Sequence, residues 1–550
     1  MNPPSTNPRP SPVSPSIHFS VPIQSPTPEF LRLERSIRAL STAVHEIQVQ
    51  CDVHTWASSN LREEDHVRSK VFKHLATLLT TGSPVGRQTI AVTGGSSQHG
   101  FYINALETVE RNSHPPPREP AVKLTTVLPS WKTLQQLARD KRPISDITLT
   151  EHAADVFQAL RLLSHQRTPT GRRAFDCFIV KRCRLEINRR LRNAVGLLDC
   201  PLHYILSRWD LHAADQIHEE WLVIPYPPIL IENFSIPYRR LKRWPDCLEL
   251  LFNRKTFSAW KTLFSSLLMV VLSTVTGLES ERSESPTDAV LALHFLRLFL
   301  SFGPAQVILE VPSLQARFLK EILPQHRLDP NEHHENSPSD TVFRAWNAVV
   351  AYDSAISSLT SRYCTASTVL RDSLPTVHVI AIHAPSPSAS RSMDSPRIMR
   401  AKVIPALKLN KFYIAVLETM ISECLAVTEF PGAVHSEASM MGIGYAIARG
   451  KCEPMLQTAF HDAFEAPSNT IATCDRPCQI CAWLAEELLL PNGPFTLSTA
   501  HGKTVPWTPP RVGIPLAVLR SLEVELLDLL TDTTQRWLEE KTQCADTMKL

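Results

Sequence analysis

The chain has 550 residues, 43% hydrophobic and 20% charged, which is typical of a globular protein with room for two or three domains. Its formal net charge is only +3. The chain is therefore neither strongly acidic nor strongly basic, and its overall charge does not indicate an oppositely charged partner. The 44 prolines and 16 glycines favour helices separated by proline-bearing loops over a glycine-rich β architecture.

The cysteines and the chain start both indicate a reducing, intracellular location, either cytoplasmic or nuclear. The 12 cysteines are scattered rather than spaced as a disulfide framework. The opening MNPPSTNPRPSPVSPS is polar and proline-rich and does not resemble a signal peptide. The longest uncharged run, Thr262 to Leu278, contains Ser and Thr throughout, so we expect a buried helix and no membrane association.

Changes in composition and apolar spacing divide the chain into six segments. In chain order they are a disordered Pro/Ser-rich tail (1–28), a mainly α-helical region of unknown role (29–326), a polar linker (327–340), a helical connector (341–374), an α/β domain (375–515) and an amphipathic helix (516–550). The helical region offers a surface for protein partners. Within it, RQTIAVTGGSSQHGFYI predicts two strands joined by a turn at Gly94 and Gly95.

Strands and helices alternate in the last third of the chain. TVHVIAIHA and SNTIATC are β-branched and apolar and predict strands, as do AKVIPALKL and FTLST. SEASMMGIGYAIARG predicts a helix ended by Gly450, and PCQICAWLAEELLL predicts a helix with Pro477 in its first turn. This alternation implies a sheet covered by helices, so the predicted fold class is α/β.

Two cysteines spaced three apart begin the second of these helices. Cys478 and Cys481 place both sulfurs on one side of the first turn. The positive end of a helix favours thiolates, the form of cysteine that binds zinc. His435 and Glu437 stand at the start of the preceding helix. The chain therefore contains H-x-E followed by P-C-x-x-C, the signature of zinc-dependent nucleobase deaminases.

This signature assigns a role to each residue. His435, Cys478 and Cys481 are the predicted Zn²⁺ ligands, and three protein ligands leave the fourth position to a water molecule whose pKa the metal lowers. Glu437 is the predicted catalytic proton shuttle between that water, the ring nitrogen and the leaving amine. A bare C-x-x-C is weak evidence, whereas the ordered set is much more specific.

The last third of the chain resembles the cytidine deaminase-like superfamily, and within it a divergent fungal branch related to bacterial polymorphic-toxin deaminases. The resemblance covers about residues 375–515 and rests on VHSEASMM, TIATCDRPCQICAWL and FTLSTAHGKTVPWTPP. It implies a three-layer α/β/α domain and hydrolytic deamination of a base in a nucleoside, nucleotide or nucleic acid. His501 and Trp507 are then candidates for the substrate pocket, since an indole can stack on a base. A position of Trp507 in the core is the alternative.

The sequence departs from the family pattern at three places. Ser436 stands where many members have Ala, and Arg476 replaces the usual acidic residue before Pro-Cys. The segment KCEPMLQTAFHDAFEAPS lengthens the interval between His435 and Cys478. The last two departures leave open an inactive deaminase that keeps the fold and the metal.

Two further alternatives concern Cys474 and the basic clusters. If Cys474 were a fourth ligand, the shell would be closed and the chain would be a non-catalytic helical scaffold with a structural zinc site. We expect Cys474 instead to end the strand. KRCRLEINRRLR and YRRLKRW are basic but lack the interleaved aromatic residues of a single-strand platform, so we interpret them as solvated helix faces.

Overall fold

The computed structural model describes most of the chain. The described ranges are 17–18, 27–51, 63–82, 88–97, 100–110, 122–165, 168–225, 239–241, 247–278, 286–322, 337–360, 376–384, 394–408, 411–422, 433–451, 469–475, 477–491, 493–497 and 504–547. Most of the predicted tail, the core of the predicted linker, the segment 452–468, Arg476 and His501 lie outside these ranges.

The described residues contain ten strands in two sheets. The strands are β1 (Ile17–His18), β2 (Gln88–Ser97), β3 (Gly100–Glu110), β4 (Val122–Thr126), β5 (Glu220–Pro225), β6 (Arg239–Leu241), β7 (Cys247–Phe252), β8 (Thr376–Ala384), β9 (Asn469–Thr473) and β10 (Phe495–Leu497). Seven of them form a mixed sheet in the order β1-β4-β8-β3-β2-β9-β10, and β5-β7-β6 form a small antiparallel sheet. The fold is mixed α/β, as predicted.

The large sheet combines strands from distant parts of the chain. The β2–β3 hairpin is antiparallel and lies between β8 and β9. β3 runs parallel to β8, with Ile103 opposite Val377. β2 runs antiparallel to β9, with Val92 opposite Ala472. The sheet is therefore not confined to residues 375–515, because its central hairpin belongs to the region predicted to be mainly helical.

Helices make up most of the remaining described structure. They are α1 (Pro28–Cys51), α2 (Glu63–Leu79), α3 (Leu134–Arg139), α4 (Leu149–His165), α5 (Pro169–Arg182), α6 (Arg184–Val195), α7 (Leu202–Arg208), α8 (Phe257–Gly277), α9 (Thr287–Ser301), α10 (Pro304–Leu309), α11 (Pro312–Glu321), α12 (Pro338–Val349), α13 (Ala351–Thr360), α14 (Asp394–Ile398), α15 (Ile404–Ala406), α16 (Lys411–Met420), α17 (Ser436–Ala448), α18 (Gln479–Glu487) and α19 (Leu516–Thr547). Residues 134–360, which lie between β4 and β8, hold eleven of these helices.

The two faces of the sheet belong to two hydrophobic cores. Successive side chains of a strand point to opposite faces, and β2 follows this rule. Its Ile90 and Val92 pack with α2 and the helices of residues 134–360. Its Ala91 packs with α1, α17, α18 and α19. The sheet is consequently covered by helices on both sides.

The first and last helices pack along each other on the second face. Arg32 of α1 donates a bidentate pair of hydrogen bonds to the Glu523 carboxylate of α19, at 3.0 and 3.1 Å. Arg520 of α19 donates to Glu29 of α1 at 2.8 Å through its Nε. The predicted C-terminal amphipathic helix thus forms, and it packs with α1 on one side of the second core.

Two local predictions were wrong. The described part of AKVIPALKL, residues 401–408, is helical or turn and not a strand, since residues 399–403 form a π-helical turn between α14 and α15. Gly94 and Gly95 lie inside β2 rather than at a turn. A Cβ at Gly94 would lie 2.2 Å from the carbonyl oxygen of Tyr102, so this position needs glycine for close backbone approach. The other strands predicted in the last third are confirmed.

Among the described residues, α8 alone is long and apolar enough to cross a membrane. Half of its most apolar 18-residue window is buried inside the protein. Trp260, Phe264 and Leu268 contribute from this helix to the first core. The predicted buried helix is therefore present, with part of its surface exposed.

We expect a fragment of residues 375–550 not to fold by itself. In the whole chain β8 pairs with β3 and β4, and β9 pairs with β2 and β10. The fragment would leave β8 without either neighbour and β9 with β10 alone, which exposes unpaired strand edges. Thermal unfolding followed by circular dichroism should show no cooperative transition for the fragment and a cooperative one for the full chain. A fragment that unfolded cooperatively and bound one zinc ion would contradict this composite sheet.

Candidate metal centre

Two helix starts face each other at the end of β9. His435 is the N-cap residue of α17, and Cys478 is the N-cap residue of α18. Each has an extended backbone and a carbonyl that accepts the first helical hydrogen bond, from Ser439 and Ala482 respectively, both at 3.1 Å. α18 thus begins at Gln479, two residues after Pro477. Cys481 lies one turn into α18, on the same side as Cys478.

The side chains of His435, Cys478 and Cys481 converge. Their ligand atoms lie within 4.8 Å of one another, and the two sulfurs each lie 3.4 Å from Nδ1 of His435. A tetrahedral zinc ion with Zn–S of about 2.3 Å and Zn–N of about 2.0–2.1 Å holds sulfur and nitrogen about 3.5 Å apart. The three donors therefore fit one shared tetrahedral cation, and imidazole with thiolates is a donor set that suits zinc.

The pKa values of the two thiols are shifted in opposite directions. Burial opposes ionisation of Cys478, but its pKa lies well below the ordinary value because the Cys481 thiol hydrogen-bonds to it and His435 lies beside it. Burial and the neighbouring Cys478 raise the pKa of Cys481. Both sulfurs are buried. A divalent cation would supply the positive charge that the second thiolate needs.

Glu437 lies next to the donors without belonging to their group. Its Oε1 is 3.8 Å from Nδ1 of His435, and Ser436 donates a hydrogen bond to its Oε2 at 3.4 Å. Burial raises the pKa of Glu437, and the adjacent His435 opposes that rise. A raised pKa makes an ionised carboxyl group a better proton acceptor, and the proton it takes up can be donated again.

Cys474 does not belong to the donor group. Among the described residues, the group that could hold a metal consists of His435, Cys478 and Cys481. Burial and the adjacent Asp475 raise the pKa of Cys474 to about 12, and its thiol hydrogen-bonds to the Thr80 side chain. This geometry favours the open three-ligand arrangement over the closed four-ligand alternative.

The helix that carries Glu437 is fixed by a close backbone crossing. Gly513, with φ of +73°, passes over Gly442 of α17, and a Cβ at Gly442 would lie 2.2 Å from the carbonyl oxygen of Val512. Just before α17, Ala433 forms a β-bridge with Trp507. The chain after β10 therefore contacts α17 both just before its start and at its middle.

Of the two predicted pocket residues, the structure describes only Trp507. Trp507 is fully buried in the second core, and its backbone N–H donates to Ser41 Oγ of α1 at 3.0 Å. It supports the segment beside the metal site and does not line the cavity described next. His501 lies outside the described residues.

A cavity of about 430 Å³ opens onto the donor group. One wall consists of His435, Ser436, Glu437 and Cys478. The other wall comes from residues that were not predicted to lie at the site, on β2, on α6 and just after it, and on α12. These include Thr89, Ile90, Arg189, Arg190, Asn193, Ala194, Leu197, Ala345 and Ala348. The helical region thus supplies part of the candidate active site.

The basic cluster of α5 and α6 is partly buried in ion pairs. Arg182 contacts Asp140 at 2.8 Å and Asp155 at 3.2 Å. Arg190 donates to Glu186 at 2.8 Å and to the carbonyl oxygen of Ala348 at 3.3 Å. The interpretation as a solvated helix face is therefore wrong for Arg182 and Arg190. The spacing of Glu186 and Arg190, four apart on one helix, was the sequence signal for this pairing.

Comparisons with protein-family models, with curated proteins and with solved structures gave no match for this chain.

We expect the zinc content to follow the three-residue group. The wild-type chain and Cys474→Ser should each hold about one zinc ion, whereas His435→Ala and Cys481→Ser should lose most of it, because two remaining donors bind zinc weakly. Metal analysis after dialysis measures this directly. Loss of zinc in Cys474→Ser with retention in His435→Ala would contradict the assignment.

We also expect Gly442→Ala to destabilise the protein, since the added methyl group meets a backbone carbonyl that cannot rotate away. Overpacking of this kind costs about 1–3 kcal/mol. Gly277→Ala is the matched control, because a Cβ there meets nothing within 4 Å. Thermal unfolding should show a lower midpoint for Gly442→Ala alone. Equal midpoints for the two variants would show that there is room for a methyl group between Gly442 and the carbonyl oxygen of Val512.

Proposed function

We propose that this chain is a zinc-dependent hydrolytic deaminase that acts on a nucleobase in a nucleoside, a nucleotide or a nucleic acid. The observation that carries the proposal is the convergence of three zinc-type donors beside a buried carboxyl group at the wall of a cavity. A sheet with helices on both faces further supports a deaminase-like α/β/α fold for the part of the chain that holds the site.

The roles of the residues follow from their positions. His435, Cys478 and Cys481 would hold the ion and leave one coordination position open. When bound, zinc supplies an activated water for attack on the carbon that bears the exocyclic amine. Glu437 would take a proton from this water and pass it to the ring nitrogen, and would then transfer the proton of the newly attached hydroxyl group to the amine. The carbon–nitrogen bond breaks, a carbonyl remains on the ring, and ammonia leaves.

The surroundings of Glu437 suit this role. The side chains of His435 and Glu437 are 12% and 9% exposed, so both are largely shielded from solvent although they line the cavity. A proton held on a buried carboxyl group passes to a bound substrate more readily than to solvent. Cys474 lies outside the donor group, and this favours catalysis over a structural zinc site.

We predict that Glu437→Gln keeps zinc but loses deamination. The amide preserves the size of the side chain and cannot carry the proton, and removing a general acid–base group costs about 10²–10⁴-fold in rate. Ammonia release from a panel of nucleosides, nucleotides and single-stranded oligonucleotides is the measurement, with zinc content checked in parallel.

Glu486→Gln provides the matched control, since it makes the same change at an exposed position of α18. It should leave both turnover and zinc content unchanged. Turnover that survives in Glu437→Gln would refute the assigned mechanism. A zinc-loaded wild-type protein that deaminates nothing in the panel would indicate a fold that holds metal without catalysis.

A further inference from the structure

The cavity beside the metal donors is of a size suited to one small molecule. Its volume of about 430 Å³ lies within the roughly 300–1,000 Å³ of ordinary small-ligand sites. α6 of the helical region and α12, which begins in the predicted linker and continues into the helical connector, contribute to the wall opposite the donors. A nucleoside is of a size that fits such a space, whereas a strand of nucleic acid also needs a surface along which its backbone continues.

The positive charges at this wall are compensated. Arg189 and Arg190 both donate to Glu186, with Nε distances of 2.7 and 2.8 Å. The Asp475 carboxylate lies 3.8 Å from Arg189 and 3.9 Å from Arg190. Two guanidinium groups thus face two carboxylates, and Glu437 adds a further acidic group nearby. The described wall therefore lacks the surplus positive charge that binding of phosphates relies on.

The described lining also lacks aromatic side chains. Proteins that bind single strands stack successive bases on aromatic rings, at about 1–3 kcal/mol per base. Ile90, Leu197 and Val505 instead offer aliphatic surface, which suits the faces of a single enclosed base. The cavity accordingly has the character of a site for a monomer.

Two polar side chains lie where the cavity meets solvent. Asn193 is exposed on α6 and lines the cavity, and Asp475, whose side chain is 59% exposed, lines it from the loop after β9. An amide and a carboxylate are suited to sugar hydroxyls, because a hydroxyl donates to the carboxylate and accepts from the amide. These residues come from the two separate parts of the chain that form the cavity.

We propose that the substrate is a free nucleoside whose sugar hydroxyls bind Asn193 and Asp475 at the wall formed by α6. This inference rests on the proposed function and specifies its substrate class. The base would lie between the aliphatic lining and the metal donors. Asn193 and Asp475 are specificity-determining residues in this arrangement.

The first test compares substrates for the zinc-loaded full-length protein. The panel contains free nucleosides of cytosine, adenine and guanine, their 5′-monophosphates, and single-stranded RNA and DNA oligonucleotides. We expect a nucleoside to give the highest kcat/KM. Turnover of oligonucleotides or monophosphates in strong preference to every nucleoside would overturn the inference and leave the proposed deaminase activity standing.

The second test changes the α6 wall. Asn193→Ala should raise KM for the nucleoside about 3- to 10-fold, which corresponds to one lost hydrogen bond, with little change in kcat. Asp475→Asn should raise KM as well. It should also shift preference toward the monophosphate, because it leaves Arg189 and Arg190 less compensated. Arg192→Ala, at an exposed position of α6 outside the cavity lining, is the control and should change neither constant.

Binding separates the two proposals if no substrate is turned over. Calorimetric titration of each nucleoside into zinc-loaded Glu437→Gln protein reports binding without catalysis. Saturable binding that Asn193→Ala weakens and Arg192→Ala does not would support the sugar site even if the deaminase proposal failed. Equal binding by all variants, or no nucleoside binding, would overturn the sugar site.

Discussion

The antiparallel pairing of β2 with β9 is the interaction on which the candidate site depends. β9 leads directly into Cys474, Asp475 and helix α18, which carries two candidate metal donors, and its neighbour β2 comes from nearly 400 residues earlier in the chain (Val92 opposite Ala472). Pairing two strands so far apart in the sequence costs conformational entropy, because a long loop must be closed. The apolar surface buried on the two faces of the sheet must offset this cost. Ile471 and Ala472 anchor the strand in the two cores, one on each face. The metal donors are thus set by contacts between the two ends of the chain and not by a self-contained C-terminal unit.

Burying the donor group without a cation costs free energy. Two thiols, an imidazole and a carboxyl group are buried together, and buried polar groups need compensating partners. The helix N-termini at His435 and Cys478 supply part of that compensation through their partial positive charge. A bound metal would supply the rest, so folding of this region and metal binding should be coupled. The helical region adds to the same site from the other side, where Arg190 joins Glu186, Asp475 and the carbonyl oxygen of Ala348.

Local patterns in the sequence were sufficient to identify the candidate donors, but not to identify the strands and helices that surround them. His435, Glu437, Cys478 and Cys481 were identifiable because they match the ordered H-x-E and P-C-x-x-C signature, and because the spacing of each pair at a helix start places its side chains on one side. The central position of the hairpin at Gln88–Glu110 was not identifiable, because strand pairing across hundreds of residues leaves no local periodicity. The same holds for Asn193 and Arg190 at the cavity wall. AKVIPALKL was predicted as a strand because its β-branched residues match strand propensity, and tertiary packing overrode that propensity.

The coordination shell of bound zinc tests the central claim most directly. X-ray absorption at the zinc edge of the full-length protein reports the number and type of ligands. An open three-residue site predicts two sulfurs at about 2.3 Å and two lighter atoms at about 2.0–2.1 Å, one from His435 and one from solvent. Three sulfurs with one nitrogen would mean that Cys474 closes the shell. That result would contradict an open catalytic centre and favour a structural zinc site.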